Sequence, residues 1–460
     1  MLNTVYRLVA PRRFEVAFND IDLNSDKVVV RPTHLSICHA DQRYYQGTRP
    51  ADVMAKKLPM ALIHEAIGDV VYDATGEFKP GELVVMIPNT PVEKDDVIAE
   101  NYLRSSKFRA SGFDGFMQDN VALDRDRLVR LPQDIDRTVA AFTEIVSVSV
   151  HALRRFERFT HARKNVVGIW GDGNLGYITA VFFHYMHPDT KLVIFGTNED
   201  KLSGFTFADE THLVWEIPED LKVDHAIECV GGDASQKAID QMIDIIQPEG
   251  TIALLGVSEY AVPINTRMVL EKGLHLYGSS RSGRADFEKT VELYQEYPEI
   301  LGYLSNIVGA QVEVNSIADM TRAFEMDINK MKNLDMTYID SYLAEFPSLI
   351  GNGPFLITYS EKLNQYVERH NWKKPAEDVI SETVLKRNLQ EYEEMYRSRN
   401  LKNLRLVYEK NPDRFDYFAP DHLLELEMRF YHLEHPATMR EKIFYQYNRV
   451  KRAFRRIVKR

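Results

Sequence analysis

Cysteine is almost missing from this chain: Cys38 and Cys229 are the only two in 460 residues. A disulfide scaffold is therefore excluded, and the expected compartment is the cytoplasm. A zinc site built from four cysteines of one chain is excluded too. No apolar run approaches the ~20 residues that span a bilayer. The N-terminus, MLNTVYRLVAPRR, has no signal-peptide apolar stretch or small-residue cleavage site. Internal repeats and low-complexity tracts are absent. Positive charge is not in excess either, since the net charge is -11, which argues against a nucleic-acid partner. What remains is an ordinary globular composition, 44% hydrophobic and 27% charged, with length for roughly three domains.

The pattern changes twice along the chain. Up to about Arg130 it reads as short β runs broken by turns, among them KVVVRPTHLSI, ALIHEAIGDVVYDA and GELVVMIP. Strands then alternate with helices: VVGIW, a helix after Gly176, KLVIFG, DHAIEC and GTIALLGV. Such alternation implies a parallel sheet with crossover helices. LHLYGSS returns to β character. Beyond about Asp340 apolar residues recur at three and four, which predicts helices. The division expected is a β-rich catalytic domain over 1–145 and 278–340, a nucleotide-binding domain over 146–277, and a helical segment over 341–460.

Gly171-Asp-Gly173-Asn174-Leu175-Gly176 follows a predicted strand and opens a predicted helix, the setting a dinucleotide fingerprint requires. The first glycine permits the turn, the second lets backbone approach the pyrophosphate, and the third packs helix on strand. An acid that holds NAD ribose hydroxyls would stand at the end of the next strand. Gly196 stands there instead. With Thr197 and Lys201 available to a 2′-phosphate, the expected cofactor is NADPH.

Cys38, His64 and Glu65 offer one sulfur, one nitrogen and one carboxylate oxygen, and Glu144 adds a second carboxylate. Catalytic zinc takes three protein ligands of these types and keeps one position open. Adjacent strand residues face opposite sides, so His64 and Glu65 share a metal only if the backbone turns there; otherwise Glu65 acts from behind the ligands. Asp41 is placed to accept the other ring N–H of His64 and set its tautomer.

Together these residues resemble the zinc-dependent medium-chain dehydrogenase/reductase family over about residues 1–340. The matching pieces are Ser36-Ile37-Cys38 with Asp41, Gly47, His64-Glu65, Gly81, Glu144 and the glycine loop. The resemblance implies an α/β fold, in which a GroES-like β-rich catalytic domain is split around a Rossmann domain. In the polyol branch a Cys, a His and a Glu lie near zinc with a second Glu close by, matching Cys38, His64, Glu65 and Glu144. More narrowly, SICHADQRYYQG, KKLPMALIHEAIGDVV and GIWGDGNLGY are similar to the branch that reduces D-ribulose 5-phosphate to D-ribitol 5-phosphate with NADPH, for teichoic acid or capsule precursors. A different polyol or alcohol dehydrogenase and, in another class, a non-catalytic scaffold are the competing readings.

The resemblance also implies contacts. His39 would touch the cofactor pyrophosphate. Read from the residues themselves, a sugar phosphate needs a cationic seat, for which Arg43, five residues after Cys38, is the first candidate and Lys57 and Arg281 are weaker ones, with Tyr44 expected to line the pocket. Glu65 or Glu144 would assist the proton, because Ala40 and Arg43 replace the hydroxyl and histidine of the alcohol dehydrogenase relay. Residues 89–111, where relatives carry a four-cysteine structural zinc, hold no cysteine, so one zinc per chain is expected. A homodimer or tetramer is the family habit, and a ribitol-5-phosphate cytidylyltransferase is the partner suggested by pathway. Residues 440–460 read as a basic amphipathic helix suited to a membrane surface or a partner.

Overall fold

The computed structural model describes residues 1–329. The expectations for 341–460, including the basic helix over 440–460, lie outside them. Early β runs form two larger antiparallel sheets and a two-stranded one, in which Asn89–Thr90 pairs with Lys107–Phe108. One of the larger two has five strands in the spatial order Leu128–Arg130, Leu83–Met86, Glu65–Asp73, Val28–Ser36 and Val121–Leu123. Alternate apolar residues, among them Val28, Val30, Val70 and Val84, pack on one of its faces. The other sheet has three strands, Arg13–Asp20, Leu2–Ala10 and Met60–Ala61.

The run ALIHEAIGDVVYDA divides between these sheets. Met60–Ala61 pairs with Leu2–Ala10, and Glu65–Asp73 pairs with Val28–Ser36. Residues 62–64 turn the corner, with Ile63 at φ 65°. That conformation is strained for a β-branched residue, so the surroundings must hold it. Asp41 Oδ1 accepts the Ile63 N–H at 3.0 Å, and the Phe116 N–H donates to the Ile63 carbonyl at 2.7 Å. Gly115 allows this approach, because a Cβ there would collide with the carbonyls of Leu62 and Ile63.

Residues 166–278 form a six-stranded parallel sheet, in the order Glu210–Leu213, Lys191–Gly196, Val166–Trp170, Val223–Glu228, Ile246–Leu254 and His275–Gly278. In chain order this is 3-2-1-4-5-6, the doubly wound Rossmann arrangement. The order reverses between Val166–Trp170 and Val223–Glu228, which puts the ligand crevice at their carboxyl ends. Helix Thr143–Phe159 joins the two halves. Its Val146, Val150, Leu153 and Phe156 pack in one core with Ile67 and Val85 of the antiparallel sheet and Val167 and Ile169 of the parallel one. Helix Ile317–Asn329 then returns to the first half, where Phe324 stacks on Tyr45 at 4.6 Å.

Within residues 89–111 an ion pair provides the cross-link. Arg127, 3% exposed, donates to both carboxylate oxygens of Glu100 at 3.0 and 3.2 Å, and to the Asn89 carbonyl at 3.1 Å. Glu100 also accepts the Arg284 N–H at 2.7 Å. Arg127→Ala is expected to cost about 1.5–3 kcal/mol, as for the loss of charged hydrogen bonds from a buried guanidinium to a partly exposed carboxylate. Thermal melts should show the lower Tm while the zinc content per chain is unchanged. A Tm within a degree or two of the parent would show that the pair does not hold this lobe.

Candidate metal and cofactor site

The Cys38 sulfur, a His64 ring nitrogen and a Glu65 carboxylate oxygen lie within 4.8 Å of one another. Local structure explains the convergence. Cys38 follows strand Val28–Ser36 and caps helix His39–Tyr45. Glu65 faces Ser36 across the ladder, so it starts its strand beside the end of the cysteine's strand. The turn at Ile63 removes the opposite-face problem, and His64 joins Glu65 at the site. Asp41, 1% exposed, is the hub. Its Oδ2 accepts the Cys38 N–H at 3.3 Å and lies 3.3 Å from His64 Nδ1. With Nδ1 held there, Nε2 is the nitrogen left for a metal.

Without a metal the donor groups of this site hold on to their protons. Burial, then the nearby Glu65 carboxylate, pushes the Cys38 thiol up to about 12. Burial and the field of Glu144 raise Glu65 to about 8. Burial also raises Glu144. For His64 burial acts downward, but Asp41 and Cys38 outweigh it and hold the ring well above its usual value. A thiol, an imidazole and a carboxylate that keep their protons in a dry pocket are a donor set for a divalent metal, which replaces those protons. Zinc affinity should therefore rise with pH, because Cys38, His64 and Glu65 must each lose a proton to bind. Chelator competition at pH 6.5 and 7.5 should show the apparent Kd falling at least about tenfold over that unit. A pH-independent Kd would contradict this ligand set.

Glu144 stands outside the trio, in the first turn of Thr143–Phe159, and is 4% exposed. Close by, the Arg281 guanidinium acts on Glu144 and lies 4.7 Å over the Phe108 ring, which is itself 5.4 Å from the His64 ring. Arg281 has no hydrogen bond or salt bridge among the described residues. The other expected substrate contacts are differently placed. Arg43 is paired with Glu259, in the loop beyond strand Ile246–Leu254, so its charge is already answered. That pair does set the Cys38 helix against the carboxyl end of the parallel sheet. Lys57 donates to Ser111 at 2.7 Å. Tyr44 is buried in the apolar core beneath the Arg49 guanidinium, 4.5 Å from its ring, so it packs instead of lining a pocket. His39 is exposed on the first turn of its helix.

The glycine loop fits a dinucleotide. Gly171 is at φ +131°, and a Cβ there would meet the Cys229 carbonyl at 2.9 Å. A Cβ at Gly176 would strike the Gly171 carbonyl, whereas Gly173 faces open space. Asn174 and Leu175 start the helix Asn174–Met186, with Asn174 exposed and Leu175 against the core. At the end of the next strand the structure corrects one inference. Gly196 carries no acid, but a Cβ there would meet Asp172 Cβ at 2.8 Å, because the Asp172 carboxylate fills that place. Thr197 and Lys201 are both turned to it. Sequence reasoning also missed Glu228, 1% exposed, which accepts the N–H groups of Val230, Gly231 and Gly256 and so ties together two loops at the crevice. Its signal was an acid at the carboxyl end of the strand DHAIEC, just before the glycines of the crevice.

This architecture matches known proteins. Residues 205–296 fit the zinc-binding dehydrogenase profile, and residues 24–133 the alcohol dehydrogenase GroES-like domain. The chain belongs to the zinc-binding dehydrogenase family. Within it, ribulose-5-phosphate reductase 1 of Staphylococcus aureus is 58% identical over 329 residues, covering 72% of this chain and 96% of that protein. Ribulose-5-phosphate reductase of Bacillus spizizenii is 57% identical over 328 residues, covering 71% and 96%. The crystal structure of S. aureus TarJ in complex with NADPH aligns with a TM-score of 0.65 at 52% identity, over 72% of this chain and 96% of that one.

Proposed function

We propose that this chain reduces D-ribulose 5-phosphate to D-ribitol 5-phosphate, using NADPH and one zinc ion. The observation that carries the reading is the similarity to ribulose-5-phosphate reductases across 96% of their length, with the thiol, imidazole and carboxylate brought together in the same fold. When bound, zinc supplies Lewis-acid polarisation of the C2 ketone oxygen and NADPH supplies the hydride. Cys38, His64 and Glu65 hold the metal, and Asp41 orients the imidazole. Glu144, whose burial favours its protonated form, carries the proton for the C2 oxygen. Arg281, the cation beside this pocket that makes no salt bridge among the described residues, seats the 5-phosphate. Gly171, Gly173 and Gly176 bring backbone to the pyrophosphate.

The domain division given above, a homodimer or tetramer, and delivery of product to a cytidylyltransferase for wall or capsule polymers belong to the same reading. So does a cytoplasmic site, where NADPH and sugar phosphates are made. Among the described residues no helix is long and apolar enough to cross a membrane. The direct test is NADPH oxidation with D-ribulose 5-phosphate and with D-ribulose. Turnover is expected with the phosphate ester and at least about a hundredfold less without it. Equal turnover of both would transfer the chain to the general polyol dehydrogenases.

A further inference from the structure

We propose that Asp172 is a built-in stand-in for the 2′-phosphate of NADPH and sets the enzyme's affinity for that cofactor. The inference rests on the NADPH reading above. Asp172 is the second residue of the glycine loop, yet its side chain reaches across to the turn after strand Lys191–Gly196. There its Oδ2 accepts the Thr197 N–H at 2.7 Å, the Asn198 N–H at 2.9 Å and the Thr197 hydroxyl at 3.2 Å. Lys201 Nζ lies 3.7 Å from Oδ1. Two backbone N–H groups, a hydroxyl and an ammonium make a seat for an anionic oxygen. It lies at the strand end where adenosine ribose binds in this fold.

The identity of residue 196 follows from the same contact. A Cβ on Gly196 would meet Asp172 Cβ at 2.8 Å, Asp172 Oδ2 at 2.9 Å and Leu202 Cδ2 at 2.8 Å. A strand-end acid and Asp172 therefore cannot share this corner. The chain has moved the carboxylate from the strand, where it would be fixed, to a loop side chain that a bond rotation can withdraw. A 2′-phosphate brings its own oxygens to the same donors and displaces Asp172. A cofactor without that phosphate leaves Asp172 in place. The carboxylate keeps the donors satisfied and ordered in the free enzyme, and its repulsion weakens the bound 2′-phosphate, which aids release of NADP after turnover.

The test uses calorimetric titration of the full-length zinc-loaded protein with adenosine 2′,5′-bisphosphate and with 5′-AMP. Asp172→Asn keeps an acceptor for the two backbone N–H groups but removes the charge. It should bind the bisphosphate about fivefold to tenfold more tightly, as expected for loss of one like charge at short range, with 5′-AMP unchanged. Lys201→Gln should weaken the bisphosphate alone. Unchanged or weaker bisphosphate binding by Asp172→Asn, at a Tm equal to the parent, overturns the proposal. Loss of 5′-AMP affinity in that variant also overturns it, since Asp172 would then be holding ribose hydroxyls. If the parent itself binds the bisphosphate no better than 5′-AMP, the NADPH reading falls and this proposal with it; failure of the variant alone leaves that reading standing.

Discussion

Cys38→Ser is expected to abolish zinc binding and lower kcat/KM for D-ribulose 5-phosphate by about a thousandfold or more. Lewis-acid stabilisation is worth several kcal/mol, and each 1.4 kcal/mol is a factor of ten in rate. Serine cannot replace the sulfur, because a hydroxyl does not ionise where even the thiol is pushed up to about 12. The fold should survive the change. Cys38 is the N-cap of helix His39–Tyr45, a position that serine fills well. The measurements are bound zinc by elemental analysis, the thermal midpoint, and NADPH oxidation. Retained turnover in a zinc-free variant would end the mechanism. The companion change Asp41→Asn leaves the ligands in place but weakens the acceptor that orients His64, and should cost about 10–100-fold in zinc affinity.

Arg281→Ala should raise KM for D-ribulose 5-phosphate by about 10–100-fold and barely alter the slow reduction of D-ribulose. A charge-assisted hydrogen bond contributes about 1.5–3 kcal/mol, which sets that range. Alanine retains a Cβ, so the backbone at φ 57° is no more strained than before. Arg281→Lys should recover only part of the loss, since it keeps the charge without the planar fork. Arg43→Ala should raise KM only a few-fold, because Glu259 already holds that guanidinium. If Arg43→Ala gave the larger effect, the phosphate would lie at the Cys38 helix and Arg281 would be a surface charge.

These two variants mark where residue patterns were sufficient and where they were not. The glycine fingerprint was legible because each glycine answers a local requirement: a turn at Gly171, close packing at Gly176, open access at Gly173. The zinc ligands were legible as types, sulfur, nitrogen and oxygen in a suggestive order. Arg43 stood out on spacing from Cys38 alone, but Glu259, more than two hundred residues away, takes up its charge. Arg281 was legible only as a further cation ranked behind Arg43, until Phe108 and Glu144 were placed beside it. Gly196 correctly signalled that no acid ends its strand, but no pattern disclosed that Asp172 folds back into that place.

By itself the sequence determined the element order, the parallel sheet of the second half, the phosphate loop and the chemical kinds of ligand available. Each of these depends on periodicity or on the backbone demands of neighbouring residues, which are written within a few positions. Only the tertiary structure decided that His64 and Glu65 serve one site, through a strained turn at Ile63 held by Asp41 and made room for by Gly115. It alone decided which cation makes no salt bridge among the described residues and which carboxylate meets Thr197. Those outcomes depend on distances between residues tens to hundreds of positions apart, and such distances are set only when helix Thr143–Phe159 packs both sheets into one core.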